Sequence, residues 1–139
     1  MRTMMGLTTL LVMMTTPTLA TELYRCHAKD AVSLKDDGTL GRDRVAEDMR
    51  KSYETIIVDT ATGIIRLGND TPQSWVILGK GDPDNEFVAS AVPYRDPSQA
   101  ASDIIRIRAW IGIGMKTVLF IWYGLSSVVS GTCEPTQQG

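Results

Sequence analysis

Residues 103–133 constrain the fold of this chain more than any other part of the sequence. They contain two runs, 104–111 and 115–123, that are rich in Ile, Val, Leu, Trp, Phe and Tyr. These residue types fit a pleated sheet, and Gly112 and Gly114 between the runs supply the backbone freedom that a tight reversal needs. The sequence therefore predicts an antiparallel hairpin at the centre of the fold.

The two faces of this hairpin differ in character. With a three-residue loop at 112–114, Ile107 would lie opposite Leu119, on a nearly all-apolar face that predicts core. The other face would carry basic and aromatic side chains: Arg106, Arg108, Trp110, Phe120 and Trp122. We interpret that face either as a half-solvated surface, with arginine stems over tryptophan rings, or as a surface that stacks flat or anionic ligands. A loop one residue shorter would invert the relation between the strands.

Residues 1–20 have the organisation of a bacterial secretory signal peptide. Arg2 provides a positive start, an apolar run too short to cross a bilayer follows, and small residues precede a cleavage site after Ala20. This predicts a secreted β domain over residues 21–133 with a disordered tail at 134–139, in the periplasm or outside the cell. After cleavage, no further stretch predicts a membrane span. The alternative is that the segment stays attached as an anchor.

The chain has two cysteines, Cys26 near the start of the predicted domain and Cys133 near its end. In an oxidising compartment a pair of this kind predicts a disulfide bond. The bond would join the first strand to the last, which suits a closed barrel or a sandwich whose outer strands meet. The alternatives are a free reactive thiol and an intermolecular bridge.

The rest of the sequence predicts short strands between turn signals. Besides the hairpin, the strand segments are 22–28, 31–34, 54–59, 64–67, 74–78, 86–92 and 126–133. Residues 42–51, where Val45 and Met49 lie four apart among charged residues, predict either a short surface helix or a mobile linker. About eight short strands at this spacing predict a single all-β domain, an antiparallel barrel or sandwich.

The residues that could carry chemistry do not form a recognisable constellation. His27 is the single histidine, and its neighbour Cys26 should point to the opposite face of a strand, which argues against a Cys–His pair and against the usual zinc sites. Asp82, Asp84 and Glu86 match only a fragment of a calcium loop, and turn formation explains them. The sequence predicts no catalytic site, no metal and no cofactor. Its mildly acidic charge predicts no nucleic-acid partner.

Three short motifs resemble the small periplasmic inhibitors of c-type lysozyme, which are disulfide-bearing antiparallel β-barrels. The motifs are an aromatic-x-Cys at 24–26, a loop with glycine at 61–63, and a tryptophan followed by glycine in 75–81. Thr62 stands where that family has serine, and the tyrosine expected after the glycine is absent. The resemblance implies a periplasmic inhibitor of a hydrolase.

These observations lead to two hypotheses of function and a weaker third. The first is a secreted, non-enzymatic binding protein that either holds a small apolar or aromatic ligand or presents the mixed hairpin face to a protein partner. Aliphatic hairpin side chains can fill a small barrel by themselves, which favours the partner. The second is a lysozyme-type hydrolase inhibitor that acts through a protruding loop, 60–63 or 80–85. The third is an enzyme that uses Asp or Glu chemistry without a sequence motif.

Overall fold

The computed structural model describes residues 23–81, 85–91, 103–108, 117–124 and 126–136. Within them the chain forms nine strands and one helix. The elements are β1 Leu23–Leu34, β2 Leu40–Gly41, α1 Arg44–Ser52, β3 Thr55–Asp59, β4 Ile64–Leu67, β5 Gln73–Lys80, β6 Phe87–Ala91, β7 Ile104–Ile107, β8 Val118–Gly124 and β9 Ser127–Thr136. The predicted signal peptide, Trp110 and the hairpin loop at 112–114 lie outside the described residues.

Eight of the strands form a closed antiparallel barrel, and the short β2 adds a ninth strand beside β1. The order around the barrel is β1-β3-β4-β5-β6-β7-β8-β9, and β9 pairs back with β1. Neighbours in the barrel follow each other along the chain apart from β2 and α1, so the barrel is an up-and-down meander. This confirms the predicted all-β fold and identifies it as a barrel.

β1 and β9 close the barrel along ten residue pairs. Cys26 and Cys133 lie opposite each other in this pairing and form the predicted disulfide bond. β9 then continues beyond the cysteine, and the Thr136 hydroxyl donates a hydrogen bond to the Leu23 carbonyl at 2.8 Å. Residues 134–136, which the sequence placed in a disordered tail, therefore belong to the barrel wall.

β1 is one long strand rather than the two short strands predicted at 22–28 and 31–34. Its pairing with β9 shifts by one residue between Ala28 and Asp30, so Lys29 is the extra residue of a β-bulge. A bulge bends the strand and redirects a side chain without ending the ladder. Here it lets one strand continue across the two polar residues that interrupt the apolar alternation.

The interior is filled by apolar side chains from every strand of the barrel. They alternate with exposed residues, as the period of a β-strand requires. The larger ones are Ile56, Val58, Ile65, Trp75, Phe87, Ile105, Ile107, Val118, Phe120, Trp122 and Val129. An eight-stranded barrel is just wide enough to be filled in this way.

The segment predicted as a helix or a linker is the helix α1, which packs against β1 and β9 at one end of the barrel. Asp43 caps it: the carboxylate accepts hydrogen bonds from Ala46 N at 2.8 Å and from Ser33 Oγ of β1 at 2.7 Å. Ala46 is buried and Met49 packs against the core, whereas Val45 is exposed. The inner face of the helix thus includes Met49, as predicted, but Ala46 in place of Val45.

Candidate functional site

The register of the central hairpin decides which of its side chains face outward. Ile107 lies opposite Phe120, whereas a three-residue loop would have placed it opposite Leu119. Phe120 and Trp122 consequently point into the core, where they are 3% and 0% exposed. The prediction that they share a face with the arginines is wrong, because a shift of one residue exchanges the two faces of a strand. Trp110, also predicted on that face, lies outside the described residues.

Arg106 and Arg108 do point outward, beside aliphatic rather than aromatic neighbours. Ile121 of β8 lies opposite Arg106, and Arg108 N donates a hydrogen bond to the Leu119 carbonyl at 2.9 Å. Across β8 and β9, Ser130 lies opposite Ile121. The hairpin therefore presents two guanidinium groups at the side of an exposed aliphatic strip.

These side chains line a groove of about 490 Å³ on the outer face of β7, β8, β9 and β1, which we call the outer groove. Its apolar lining is Leu119, Ile121 and Tyr123, its basic lining is Lys29, Arg106 and Arg108, and Glu86, Ser130 and Thr132 complete the polar lining. Leu119 and Tyr123 are 38% and 37% exposed. The groove combines an apolar floor on β8 with cations on both sides.

Glu86, which the sequence assigned to a turn, holds the two arginines of the outer groove. Its carboxylate lies 2.5 Å from Arg106 Nη2 and 3.9 Å from Arg108 Nε. The Glu86 side chain is mostly buried, while about half of each arginine side chain is exposed. Lys29 and the two arginines thus line the groove together with one carboxylate, on a chain whose overall charge is −2.

Lys29 supplies the cation on the far side of the groove. It is exposed and, within the part of the chain that the structure describes, forms no salt bridge. Its neighbour Asp30 is engaged elsewhere, because Arg42 donates to both of its carboxylate oxygens at 2.9 and 2.7 Å. These hydrogen bonds hold the pKa of Asp30 below its usual value. Lys29 thus lines the groove as a cation whose adjacent carboxylate is already paired.

A second polar region lies inside the barrel under α1. Ser127 lies opposite both Gly124 and Ser33, and Asp103 lies beside Gly124 on the other side. Asp103 Oδ1, Trp122 Nε1 and Ser127 Oγ are buried there without a hydrogen-bond partner among the described residues. Buried polar atoms in this state lower stability unless a small polar molecule satisfies them.

Two ionisable groups of this inner region have shifted pKa values. Burial raises the pKa of Asp103 above the ordinary carboxyl value, because the charged form loses hydration. Burial also raises the pKa of Tyr53, and the negative charges of Asp103 and Asp70 add to this effect. The Tyr53 ring packs on Trp122 with a centroid distance of 4.8 Å. The region is thus a partly buried cluster of polar groups beside two packed aromatic rings.

The candidate catalytic residues of the sequence are separated or already bonded. His27 is half-buried on the outer face of β1, between Thr55 of β3 and Thr132 of β9. Both cysteines are in the disulfide, so Cys26 has no thiol to act as a nucleophile. Among the described residues, no three His, Cys, Asp or Glu side chains are grouped so that they could hold a metal ion.

One of the two predicted inhibitory loops is fully described. In the 60–63 turn, Asp59 Oδ1 accepts hydrogen bonds from the backbone N–H groups of Ala61 and Thr62 at 2.9 and 3.2 Å, and both of these residues are exposed. Gly63 has a φ of 73° and donates its N–H to the Asp59 carbonyl. The turn is therefore held by its own hydrogen bonds. In the other loop, 80–85, residues 82–84 lie outside the described part.

The fold and these sites define a class: a disulfide-closed, eight-stranded antiparallel β-barrel with an outer groove that is apolar along its floor and basic at its sides. Comparisons of the chain with protein-family models, with curated proteins and with solved structures find no match. The residues and their geometry are therefore the basis for a proposal of function.

Proposed function

We propose that this protein is a secreted, non-enzymatic binding protein that receives a protein partner on the outer groove. The single observation that carries the proposal is the exposure of an apolar strip between cations on one face of the barrel. Exposed apolar surface bordered by polar residues is typical of protein-interaction sites. Arginine and tyrosine, both present here, are enriched at the centres of such sites.

A small ligand held inside the barrel is the other version of this hypothesis. The interior is already occupied by large side chains such as Trp75, Phe87 and Trp122, which are at most 4% exposed. A small-molecule site usually encloses most of its ligand, whereas the outer groove is a partly open depression on the outer face of the barrel. The packing of the interior therefore favours a partner on the outside.

Secretion is supported by the disulfide bond, because such bonds persist in oxidising compartments. The signal peptide at residues 1–20 remains a prediction of the sequence, as does the periplasm as destination. In the described part of the chain, no helix has the length and hydrophobicity to cross a membrane.

Site-specific photo-crosslinking in the secreted protein tests the proposal. A photoreactive residue replaces Tyr123 in the outer groove or, as a matched control, Val76, which is exposed on the outer face of β5. We expect a discrete crosslinked protein of reproducible mass from position 123 and none from position 76. Crosslinks of equal yield from both positions, or from neither, would refute the groove as the binding surface. A bound small molecule in the native mass spectrum would favour the interior site.

Inhibition of a lysozyme-type hydrolase is the second candidate, and the self-bonded turn at 60–63 favours it. A preorganised exposed turn can enter an active site with little loss of conformational entropy. Replacing Ala61 and Thr62 by arginine should then abolish inhibition of c-type lysozyme while the far-ultraviolet circular dichroism spectrum is unchanged. This hypothesis does not survive if the native protein fails to inhibit, or if the loop variant still does.

A further inference from the structure

The cations of the outer groove lie on opposite sides of its apolar floor, at a spacing that the strand register determines. Arg106 lies opposite Ile121, Ile121 lies opposite Ser130, and Ser130 pairs with β1 directly beside the bulged Lys29. These residues form one row across four neighbouring strands. With roughly 4.8 Å between strands, the backbones of Arg106 and Lys29 are about 14 Å apart along the sheet.

We infer that the outer groove recognises an acidic, apolar polypeptide segment: one carboxylate on the Arg106 side, one on the Lys29 side, and an apolar side chain over Ile121. The inference rests on the proposed function and specifies its partner. An extended chain advances roughly 3.3 Å per residue, so about four residues bridge the two cations. The segment lies across the strands and carries acidic residues about four positions apart.

The arrangement of Glu86 explains how this surface can select an anion. Its mostly buried carboxylate forms an ion pair with Arg106, which keeps that guanidinium at the side of the groove before a ligand arrives. A guanidinium has five N–H donors, so one salt bridge leaves it able to bind a second carboxylate. Preorganisation of this kind lowers the entropic cost of binding.

The apolar floor favours an acidic, apolar segment over a simple polyanion as the ligand of the groove. Leu119, Ile121 and Tyr123 form the centre of the groove, and a fully charged polymer would cover these side chains without filling the space above them. A segment with one apolar side chain between two acids satisfies both the floor and its sides. Lys29 and Arg106 also attract an acidic segment to this face of a protein whose overall charge is negative.

Nuclear magnetic resonance titration of the oxidised, ¹⁵N-labelled secreted protein tests the inference. The probe is the peptide Glu-Ala-Leu-Ala-Glu with a glycine at each end and capped termini. Matched peptides replace both glutamates by glutamine, or the leucine by serine. We expect the first peptide to cause chemical-shift changes confined to the outer groove. Each matched peptide should bind at least about five-fold more weakly, and added salt should weaken the binding of the first peptide.

Variants of the protein identify the cation responsible. Lys29→Gln should weaken the acidic peptide about three- to ten-fold while leaving the Glu86 salt bridges intact. Arg66→Gln is the matched control, because Arg66 is an exposed cation on the outer face of β4, outside the groove. Equal effects of the two substitutions would overturn the assignment to the groove.

Each remaining outcome separates this inference from the proposed function. If the glutamine peptide binds the groove as tightly as the glutamate peptide, the inference that the segment is acidic is overturned. The groove would still be a binding surface. A further outcome is that inorganic polyphosphate binds the groove more tightly than both the leucine peptide and the serine peptide. That result would mean that the groove recognises charge alone, and it would overturn the inference. Absence of any shift in the groove with the acidic peptide would also overturn the inference, while the crosslink from position 123 decides the proposed function separately.

Discussion

The two sides of the barrel are held together to very different degrees. On the groove side, β9 shares ten residue pairs with β1 and seven with β8, and a disulfide bond crosses the first of these pairings. On the opposite side, β4 and β5 share only two residue pairs, which we call the β4–β5 seam. One additional hydrogen bond, from Trp75 N to the Gly63 carbonyl, supports this seam.

This difference shows where a binding surface can be built in a small barrel. A groove made of side chains on four strands needs a wall that keeps their spacing fixed, because a shift of a strand would move the cations relative to the floor. The long pairings of β8, β9 and β1 provide that wall. The seam is where we expect the barrel to open first, since local stability follows the number of buried contacts and hydrogen bonds.

Among the changes that test the difference between the two sides, removal of the disulfide bond should lower the free energy of unfolding most. The bond spans 107 residues of sequence, and a loop of that length predicts a loss of about 4–5 kcal/mol in the free energy of unfolding. The variant with Cys26→Ala and Cys133→Ala should therefore unfold at much lower urea concentration, as followed by circular dichroism. A loss under about 1 kcal/mol would mean that the β1–β9 pairing closes the barrel without help from the bond.

Two glycine substitutions compare the packing of the two sides directly. A methyl group on Gly131 of β9 would overlap the His27 carbonyl and the Phe120 ring, and overpacking of this kind costs roughly 2–3 kcal/mol. A methyl group on Gly63 would lie 2.6 Å from the Trp75 carbonyl oxygen, a shallower overlap than at Gly131, and the φ of 73° adds about 1–2 kcal/mol of backbone strain. Gly131→Ala should thus destabilise more than Gly63→Ala in urea denaturation. The reverse order would show that the backbone strain and overlap at Gly63 together outweigh the closer overlap at Gly131.

Features that depend on local sequence patterns were predicted well. The turn signal after Asp59 separates β3 from β4 as predicted, because an Asx turn and a glycine with positive φ are encoded within five residues. The disulfide was predicted from compartment and cysteine count. The helix was predicted only as one of two alternatives, since its buried residue, Ala46, gives almost no hydrophobic signal.

Features that depend on register or on distant neighbours were not predicted. The hairpin register is set by the connection between β7 and β8, and a shift of one residue moved Phe120 and Trp122 into the core. The role of Glu86 follows from the pairing of β6 with β7, which no local pattern specifies. Lys29 did leave a signal: Lys29 and Asp30 are two successive polar residues in an alternating strand, as a bulge requires.

Amide hydrogen exchange should reveal the weaker seam in the native protein. Amides of Ile64, Ile65 and Ser74 at the seam should exchange through local opening at a lower free energy than amides in the β1–β9 pairing. The measurement is exchange followed by nuclear magnetic resonance under conditions where opening is at equilibrium. Equal protection on both sides would mean that the barrel opens as one unit and that the two sides do not differ in local stability.

The smallest predicted effect concerns Asp103, the partly buried carboxyl of the inner polar region. Because burial raises the pKa of Asp103, its contribution to stability is present below the unfolded-state pKa and is lost as pH rises through the folded-state value. Asp103→Asn should therefore gain stability relative to the native protein between pH 3 and pH 7 in urea denaturation. Asp30→Asn is the opposite control, since the Arg42 hydrogen bonds lower the pKa of Asp30 and the native protein gains relative stability over that range. If the Asp103→Asn difference does not change with pH, the Asp103 carboxyl is hydrated in the folded protein. If it changes in the direction of Asp30→Asn, the pKa of Asp103 is lowered and burial does not dominate it.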